Sequence, residues 1–369
     1  MRANSLVFCF VSFALLAGCD TSLPRFYRRL DYRTAADIST IAEQPPPLAA
    51  FYVTNRAHDE RGYLPRHGEG LTYGSCDIHI PRDHNIGNDI VTDAITRVGG
   101  RPNPQHLTIT RTNRSDSADA FFDQLKNALE DTPRKDLVIL VHGYNNSFPD
   151  VVQRSAEFVY DLGYKMVPLA FSWVSQGTVQ GYLQDEDAAL DAGPDLAVFL
   201  KQLVARIPEA RIHLIAHSMG SRVVTAALAE LQVPAADARR PFANVIFAAP
   251  DIKASLFTWY LGEKKLTQLG QRTTLYASCF DRPLELSSYL HGKDYPRAGR
   301  AAGNVIVLDG LDTIDVSLND FSPLGHGYYG DNRAVIYDLF MLLVLGAPPA
   351  NRNLYHADTP AGRYWLVRP

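Results

Sequence analysis

Short apolar runs alternate with segments of helical periodicity along most of the chain after residue 137. Residues 138–141 form a continuous apolar run of strand length, and residues 187–206 carry apolar side chains near helical spacing. An apolar run without polar alternation indicates a strand that is buried on both faces, and strands separated by helices lie parallel in one sheet. We therefore predict an α/β fold with a mostly parallel central sheet and helices on both faces.

The predicted elements follow this alternation almost to the end of the chain. Three short strands precede it, at residues 51–53, 75–80 and 107–110. The strands of the alternation are predicted at residues 138–141, 167–171, 212–216, 245–247, 274–277 and 305–308. The helices are predicted at residues 149–162, 187–206, 219–231, 252–269 and 332–345. We expect residues 305–308 to form the last strand of the sheet.

The N-terminal segment differs from the rest of the chain. Arg2 precedes an uncharged apolar stretch at residues 6–17, which has the length of a signal-peptide core and is short for a membrane span. The stretch runs into Leu-Ala-Gly-Cys19, which resembles the processing box of bacterial lipoproteins. The resemblance implies cleavage before Cys19 and a lipid on its side chain, with a plain secretory signal as the alternative. Asp20 resembles the inner-membrane retention signal of enteric-type bacteria, so we expect a lipid-anchored envelope protein that faces the periplasm.

Three regions follow from this pattern. We predict a signal peptide over residues 1–18, a membrane tether over residues 19–47, which ends in three prolines, and an α/β domain over residues 48–369. The net charge is −4 and the chain has no long basic run, which argues against nucleic acid as a partner. The expected partners are a membrane and a small-molecule or lipid substrate, and the oligomeric state stays open.

Two of the four cysteines lie within the predicted domain. Cys9 and Cys19 belong to the N-terminal segment, which leaves Cys76 and Cys279. An oxidising compartment allows these two to pair, and two separate thiols are the alternative. The chain has no CxxC motif or zinc-type Cys/His spacing, so we expect no metal and no cofactor.

Ser218 occupies a corner between a predicted strand and a predicted helix, in the sequence IHLIAHSMGSRVV. This segment resembles the nucleophile elbow of the α/β hydrolases, in which a serine on a tight turn projects its oxygen above the sheet. Small residues beside it allow the strand and the helix to pack closely. Gly220 meets that need, while Ala216 stands where glycine is usual. We predict that Ser218 is a nucleophile, and a serine that caps the helix is the alternative.

The segment LVILVHGYNNSF ends a strand with His-Gly and resembles the oxyanion segment of the same superfamily. Backbone N–H groups stabilise the negative oxygen that forms during acyl transfer. We expect these donors to be the N–H groups of Tyr144 and Met219. His142 is expected to shape this loop, with a catalytic base as the alternative role. His217 adjoins Ser218, but neighbouring side chains diverge at a sharp turn, so we do not expect His217 to be the catalytic base.

An acid and a histidine follow the serine along the chain in α/β hydrolases. Asp281 comes after the fifth strand of the alternation, in a loop that resembles the usual position of the acid, and Asp251 is the alternative. His326 lies between the predicted last strand and the last helix, where the superfamily places its base. His291 and His356 are the other candidates, and we interpret both as surface residues.

Four motifs together resemble a bacterial family of α/β hydrolases of unknown substrate: HGYNNSF, FSWVSQG, AHSMGSR and GHGYY. Members of this family also share an upstream region similar to residues 51–56. The resemblance covers about residues 48–345. It implies the α/β-hydrolase fold and a Ser218–Asp281–His326 triad, and it leaves the substrate open.

The sequence therefore favours hydrolysis of an ester, either a lipid or an acyl compound of the envelope, through an acyl-enzyme. An acyltransferase with the same triad and a non-catalytic binding protein with the same fold are the alternatives. Residues 172–186 join a strand to a helix near the predicted nucleophile. We expect them either to line the acyl pocket or to form a packed connection without ligand contact.

Overall fold

The structure is a computed structural model of the chain, and it describes residues 47–81, 84, 86, 107–231, 239–292, 295–301, 305–319 and 326–368. These residues all belong to one compact unit, Pro45–Pro369. The predicted signal peptide, Cys19 and the tether up to residue 46 lie outside the described residues.

The described residues form the following strands and helices. The strands are β1 (Leu48–Asp59), β2 (Gly62–His79), β3 (Thr108–Arg114), β4 (Asp136–Val141), β5 (Val167–Ser172), β6 (Arg211–His217), β7 (Phe242–Ala248), β8 (Gly270–Ala277), β9 (Leu311–Asp315), β10 (Leu354–Thr359) and β11 (Gly362–Val367). The helices are α1 (Ala118–Glu130), α2 (Phe148–Asp161), α3 (Tyr182–Arg206), α4 (Gly220–Ala229), α5 (Ala254–Gly262), α6 (Arg282–Leu290), α7 (Tyr328–Asp331) and α8 (Arg333–Leu343).

All these strands belong to one sheet with the order β10-β11-β9-β8-β7-β6-β4-β5-β1-β2-β3. The strands from β11 to β1 in this order run parallel to their neighbours. Antiparallel pairing occurs only towards the two edges among the described strands, between β10 and β11 and along β1, β2 and β3. The predicted mostly parallel sheet is therefore confirmed.

Helices cover both faces of the sheet. Side chains alternate between the two faces of a strand, so neighbouring residues of β1 contact the helices on opposite faces of the sheet. Val53 belongs to a core cluster with side chains of α1, α3, α4 and α5. Tyr52, the preceding residue, belongs to a second cluster with side chains of α2. Burial of a large apolar side chain contributes about 1.5–3 kcal/mol, so both layers stabilise the sheet.

The carboxyl ends of the parallel strands lie along one edge of the sheet, which we call the carboxyl edge. It consists of the ends of β4, β5, β6, β7 and β8 and the loops that follow them. The predicted site segments all start here, because the HGYNNSF loop follows β4 and the serine corner follows β6. Open parallel sheets bind ligands at this edge.

The prediction of a strand at residues 305–308 is wrong, because the last strand of the alternation is β9. Val305, Ile306 and Leu308 are apolar because they pack against the core, although they pair with no strand. Gly310 then turns the chain with a φ of +74° and β9 begins. An apolar run indicates that its side chains are buried, and side chains of a loop can be buried as well as those of a strand.

Several element boundaries also differ from the prediction. The predicted helix at residues 252–269 is α5 followed by a 3₁₀ turn at Leu266–Leu269, with a break at Lys265, whose φ is +57°. α3 begins at Tyr182, five residues earlier than predicted. Helices α1 and α6 and the hairpin of β10 and β11 were not predicted from the sequence.

Cys76 and Cys279 are free thiols in this structure, so the pairing hypothesis is wrong. Cys76 lies on β2 and Cys279 follows β8, and six strand spacings separate these two strands in the sheet. At about 4.8 Å per spacing they are about 29 Å apart. A disulfide requires Cα atoms within about 7 Å of each other.

A buried carboxylate joins the first residues of β4 and β6, the two strands that carry the HGYNNSF loop and the serine corner. Asp136 accepts hydrogen bonds from His213 and Arg134 at 3.0 Å and from Arg211 at 3.2 Å. Burial raises the pKa of Asp136, but the bond from His213 and the charges of the two arginines outweigh it and hold this pKa below its ordinary value of 3.8.

We predict that Asp136→Asn lowers the free energy of unfolding by about 2–3 kcal/mol at pH 7, because it removes one partner of a buried ionic cluster. A folded-state pKa below the unfolded value stabilises the protein above the unfolded pKa, and this contribution is lost as the pH falls through the folded pKa. The difference between variant and wild type should therefore shrink below about pH 4. Urea unfolding at pH 7 and pH 3.5 measures it.

The control is Asp358→Asn, which removes an exposed pair with Arg363 and should leave the urea midpoint unchanged. Equal destabilisation by the two substitutions, or an Asp136→Asn effect that does not depend on pH, would contradict the role of the buried carboxylate.

Candidate active site

Ser218 lies at the corner between β6 and α4, and its backbone has a φ of +52°. The left-handed region is unfavourable for a residue with a Cβ, by about 1–2 kcal/mol. Two hydrogen bonds join the corner to the end of β7 and the loop after it: Ser218 N–H donates to Ala248 O at 2.9 Å, and Asp251 N–H donates to Ser218 O at 3.1 Å. Ala216, in place of the usual glycine, is fully buried in the core, so its methyl group is accommodated.

Two glycines allow β4 and the serine corner to approach each other. A Cβ on Gly220 would lie 2.4 Å from His142 O and 2.5 Å from Val141 O. A Cβ on Gly143 would lie 2.8 Å from Ser218 Cβ. A backbone carbonyl, or a Cβ whose place its own backbone fixes, cannot move aside as the end of a flexible side chain can, so both positions require glycine.

His326 and Asp281 form a hydrogen-bonded pair beside this corner. Nδ1 of His326 lies 2.8 Å from Oδ2 of Asp281, whose side chain is fully buried, and the histidine side chain is 14% exposed. The other oxygen of Asp281 accepts from Leu284 N–H at 2.9 Å and caps α6. A carboxylate only accepts hydrogen bonds, so Nδ1 carries the proton and Nε2 of the neutral ring keeps its lone pair.

His217 ties the backbone of His326 to the residue that precedes Ser218. Nε2 of His217 donates to His326 O at 3.1 Å, and the two ring centroids are 4.9 Å apart. Burial and the neighbouring His326 hold the pKa of His217 well below its ordinary value, so its ring is neutral. Hydrogen bonds therefore connect Asp281, His326 and the residue next to Ser218 at the carboxyl edge.

The alternative acid has other partners. Asp251 accepts hydrogen bonds from the hydroxyls of Tyr182 and Ser287, each at 2.7 Å, and pairs with Arg297 at 3.1 Å. The alternative histidines also lie elsewhere. His291 donates to a carboxylate at 2.8 Å, and His356 is part of β10, the strand at one edge of the sheet.

Asp185 holds the loop that contains Tyr144. Its fully buried carboxylate accepts from Asn145 N–H at 3.0 Å, from the Ser175 hydroxyl at 2.6 Å and from Gln176 N–H at 2.7 Å. One carboxylate on α3 therefore joins the loop after β4 to the loop after β5.

Arg56, at 2% exposure, holds the same two loops from the side of β1. Its guanidinium donates to Ser172 Oγ and Ser175 O at 3.0 Å and to Asn146 O at 2.8 Å. Burial lowers the pKa of Arg56 to about 10, while the charges of Asp185 and a second aspartate oppose that shift, so the group is cationic at neutral pH. We call Arg56 and Asp185 the loop clamp.

Sequence reasoning missed the loop clamp, because its contacts join segments up to 119 residues apart. Two features of the sequence around Arg56 could have indicated it. Arg56 follows the apolar residues of a predicted strand, where a charge is rarely buried unless it is paired. It also belongs to the upstream region on which the family resemblance rests.

His142 is a packing residue in this structure. Its ring stacks on Trp173 with centroids 4.8 Å apart, and Trp173 Nε1 donates to His142 O at 2.8 Å. Burial and the charge of Arg56 lower the pKa of His142 to about 3, so the ring is neutral. These contacts fix the path of the chain where it leaves β4.

The two predicted backbone donors belong to the loop after β4 and to the corner after β6. Met219 is the residue before α4, so its N–H group lies at the start of that helix, where amide groups lack partners within the helix. Tyr144 follows Gly143, and its half-buried ring packs edge-on against Tyr182 at 5.2 Å. Residues 172–186 include Tyr182, a 3₁₀ turn at Val179–Gly181 and the first turn of α3.

The comparison with known protein families agrees with this architecture. The profile of a family described as "Alpha/beta hydrolase of unknown function (DUF900)" matches residues 117–343. A solved cutinase of Trichoderma reesei, in complex with a C11Y4 phosphonate inhibitor, is similar with a TM-score of 0.24 and 16% identity. The similarity covers 35% of this chain and 62% of the cutinase chain. A search of curated proteins finds no match. Among the described residues, no helix is both long and apolar enough to cross a membrane.

We predict that Gly220→Ala destabilises the protein by about 2–3 kcal/mol or prevents folding, because the new methyl group would overlap two backbone carbonyls. The control is Gly262→Ala at the end of α5, where a Cβ meets no atom within 4 Å. Thermal unfolding of both variants measures the difference. Equal stability of Gly220→Ala and the wild type would show that the close approach of β4 to the corner is not required.

Proposed function

The chain belongs to the DUF900 family of α/β hydrolases, and we propose that it is a serine hydrolase that cleaves carboxylic esters through an acyl-enzyme on Ser218. Its fold is the α/β-hydrolase fold predicted from the sequence. The observation that carries the proposal is the 2.8 Å bond between His326 and Asp281, next to a serine on a left-handed strand-to-helix corner.

The proposed reaction follows from the hydrogen bonds of these three residues. Nε2 of His326 takes the hydroxyl proton as the oxygen of Ser218 attacks the ester carbonyl carbon. Asp281 keeps the ring in the required tautomer and stabilises the imidazolium that forms. The ring then gives the proton to the leaving alcohol as the ester bond breaks. Water, deprotonated by the same nitrogen, then attacks the acyl carbon. The bond to Ser218 Oγ breaks as the ring returns the proton to that oxygen, and the acid is released.

The N–H groups of Tyr144 and Met219 are proposed to bind the negative oxygen of the tetrahedral intermediates. Loss of one such donor typically reduces kcat by about 10²–10³, because the donor acts most strongly in the transition state. The loop clamp supports the Tyr144 donor, since Asp185 and Arg56 bind the two residues that follow it. We regard both charged groups as positioning residues.

An envelope location completes the proposal. A lipid on Cys19 would hold the domain at the membrane through the tether of residues 19–47, facing the periplasm, and the substrates considered are lipid or envelope acyl esters. An acyltransferase would use the same acyl-enzyme with an alcohol in place of water. Product analysis with an added alcohol separates these two activities.

We predict that Ser218→Ala abolishes both turnover of a p-nitrophenyl ester and labelling by a fluorophosphonate, which reacts with activated serines. The control is Ser221→Ala in the first turn of α4, whose hydroxyl has no hydrogen-bond partner among the described residues. This variant should label as the wild type does. Circular dichroism checks that both variants fold. Undiminished labelling of folded Ser218→Ala would falsify the assignment, and absent labelling of the folded wild type would favour a non-catalytic binding protein.

We predict that Asp185→Asn lowers kcat about tenfold or more and changes KM little, because an amide cannot accept all three bonds that the carboxylate receives. The control is Asp187→Asn, an exposed position two residues further along α3. Steady-state kinetics on a soluble ester separates kcat from KM, and thermal unfolding measures stability. A change in KM alone, or a loss of activity proportional to the unfolded fraction, would show that Asp185 has only a structural role.

A further inference from the structure

Helix α6, which starts directly after Asp281, presents apolar side chains to water. Leu286, Tyr289 and Leu290 are 59–60% exposed, and their spacing of three and four residues places them on one face of the helix. Phe280, just before the helix, is 57% exposed. The helix that begins at the proposed catalytic acid therefore has an apolar face that none of the described residues covers.

The start of α3 lies beside α6 and extends this surface. The hydroxyls of Tyr182 and Ser287 are 2.8 Å apart, and Glu186 binds the histidine at the end of α6 at 2.8 Å. Val179 and Leu183, which flank this contact, are 64% and 65% exposed. We call Val179, Leu183, Phe280, Leu286, Tyr289 and Leu290 the apolar rim.

The apolar rim lies next to the proposed site. Tyr182 donates to Asp251, whose own N–H donates to Ser218 O, and Asp281 at the start of α6 binds His326. Soluble proteins rarely expose contiguous apolar patches of this kind unless the patch binds something. The exposed charges beside it have both signs: Arg282 pairs with Glu285 at 3.8 Å. Apolar burial is therefore the main attraction that the rim offers.

The chain outside the described residues indicates what the rim meets. It contains Cys19, and we expect its lipid to enter a bilayer once the signal peptide with the apolar stretch at residues 6–17 has been cleaved off. The 28 residues from 20 to 47 can span up to about 90–100 Å when extended. β1 starts at the edge of the sheet opposite the carboxyl edge, because it runs parallel to β5. A strand the length of β6 spans about 23 Å, so the tether is long enough for either edge to face the membrane.

We propose that the apolar rim docks on the surface of a lipid bilayer and presents Ser218 to acyl esters of lipids at that surface. Leucine and tyrosine side chains with an arginine beside them suit the boundary between acyl chains and head groups. The docking itself depends only on the rim, whereas the choice of lipid esters as substrates rests on the proposed serine-hydrolase function.

Docking is tested with the full chain in phosphatidylcholine vesicles that contain brominated lipid, which quenches tryptophan fluorescence on contact. Two reporters are compared, Tyr289→Trp in the rim and Val198→Trp on α3, 16 residues beyond its first residue and also exposed. The lipid anchor would hold both variants on the vesicle, so it cannot explain a difference in quenching between the two reporters. We expect strong quenching of the emission added by Tyr289→Trp and none of that added by Val198→Trp, also in 0.5 M salt.

Equal quenching of the two reporters would overturn the docking proposal, because it would show that the domain has no preferred face towards the lipid. Absence of quenching at Tyr289→Trp would overturn it as well. Quenching that salt abolishes would contradict an apolar contact. All three readings can be made in the background Ser218→Ala, so failure of the hydrolase proposal does not affect them.

The substrate class is tested by the ratio of two rates, on an ester lipid in vesicles and on a soluble p-nitrophenyl ester. Leu286→Gln/Leu290→Gln should lower this ratio at least tenfold relative to the wild type. The matched control, Val198→Gln/Leu345→Gln, removes two exposed apolar side chains outside the rim and should keep the ratio. An unchanged ratio in the rim variant would refute lipid-surface substrates. Absence of both rates in the wild type, with intact fluorophosphonate labelling, would refute ester hydrolysis instead.

Discussion

The left-handed backbone of Ser218 constrains the carboxyl edge more than any other feature of this protein. A φ of +52° is unfavourable for serine, so the corner persists only where neighbouring groups hold it. Ala248 and Asp251 supply backbone hydrogen bonds from the next strand and its loop. The absence of a side chain at Gly220 lets the end of β4 lie against the start of α4. The position of the HGYNNSF loop follows from that contact.

Two buried charged side chains hold the loops after β4 and β5, which lie beyond the hydrogen bonds of the sheet. Beyond β4 and β5 the loops have no strand partner, and the loop clamp supplies their hydrogen bonds. Arg56 and Asp185 are almost completely buried, and a buried charge is tolerated only when its hydrogen bonds are satisfied. Asp185 accepts three of them and Arg56 donates three. Removal of either group would leave the other uncompensated, so the two charges stabilise the loops as a unit.

Local sequence patterns predicted the parts of the structure that depend on neighbouring residues. The apolar strands and the serine corner were visible, and so was the pairing of Asp281 with His326, which the structure shows as a 2.8 Å hydrogen bond. The pattern misled at residues 305–308, where packing against the core requires apolar side chains without a strand. It missed α6, because the apolar residues Leu286, Tyr289 and Leu290 face water and break the amphipathic pattern of a packed helix. The loop clamp was out of reach, since its contacts join distant segments.

Asp281 links the two surfaces on which the proposals rest. One of its carboxylate oxygens accepts from Leu284 N–H and caps α6, and the other binds His326. The same helix carries half of the apolar rim, so any force on that rim acts on the element that begins at the proposed acid. The bonds of Tyr182 and Glu186 to α6 tie the helix to α3, which carries Asp185. A contact that orders α6 and the start of α3 would therefore restrict the motion of both Asp281, the proposed acid, and the loop that contains Tyr144. Binding at the apolar rim would in this way be coupled to the geometry at Ser218.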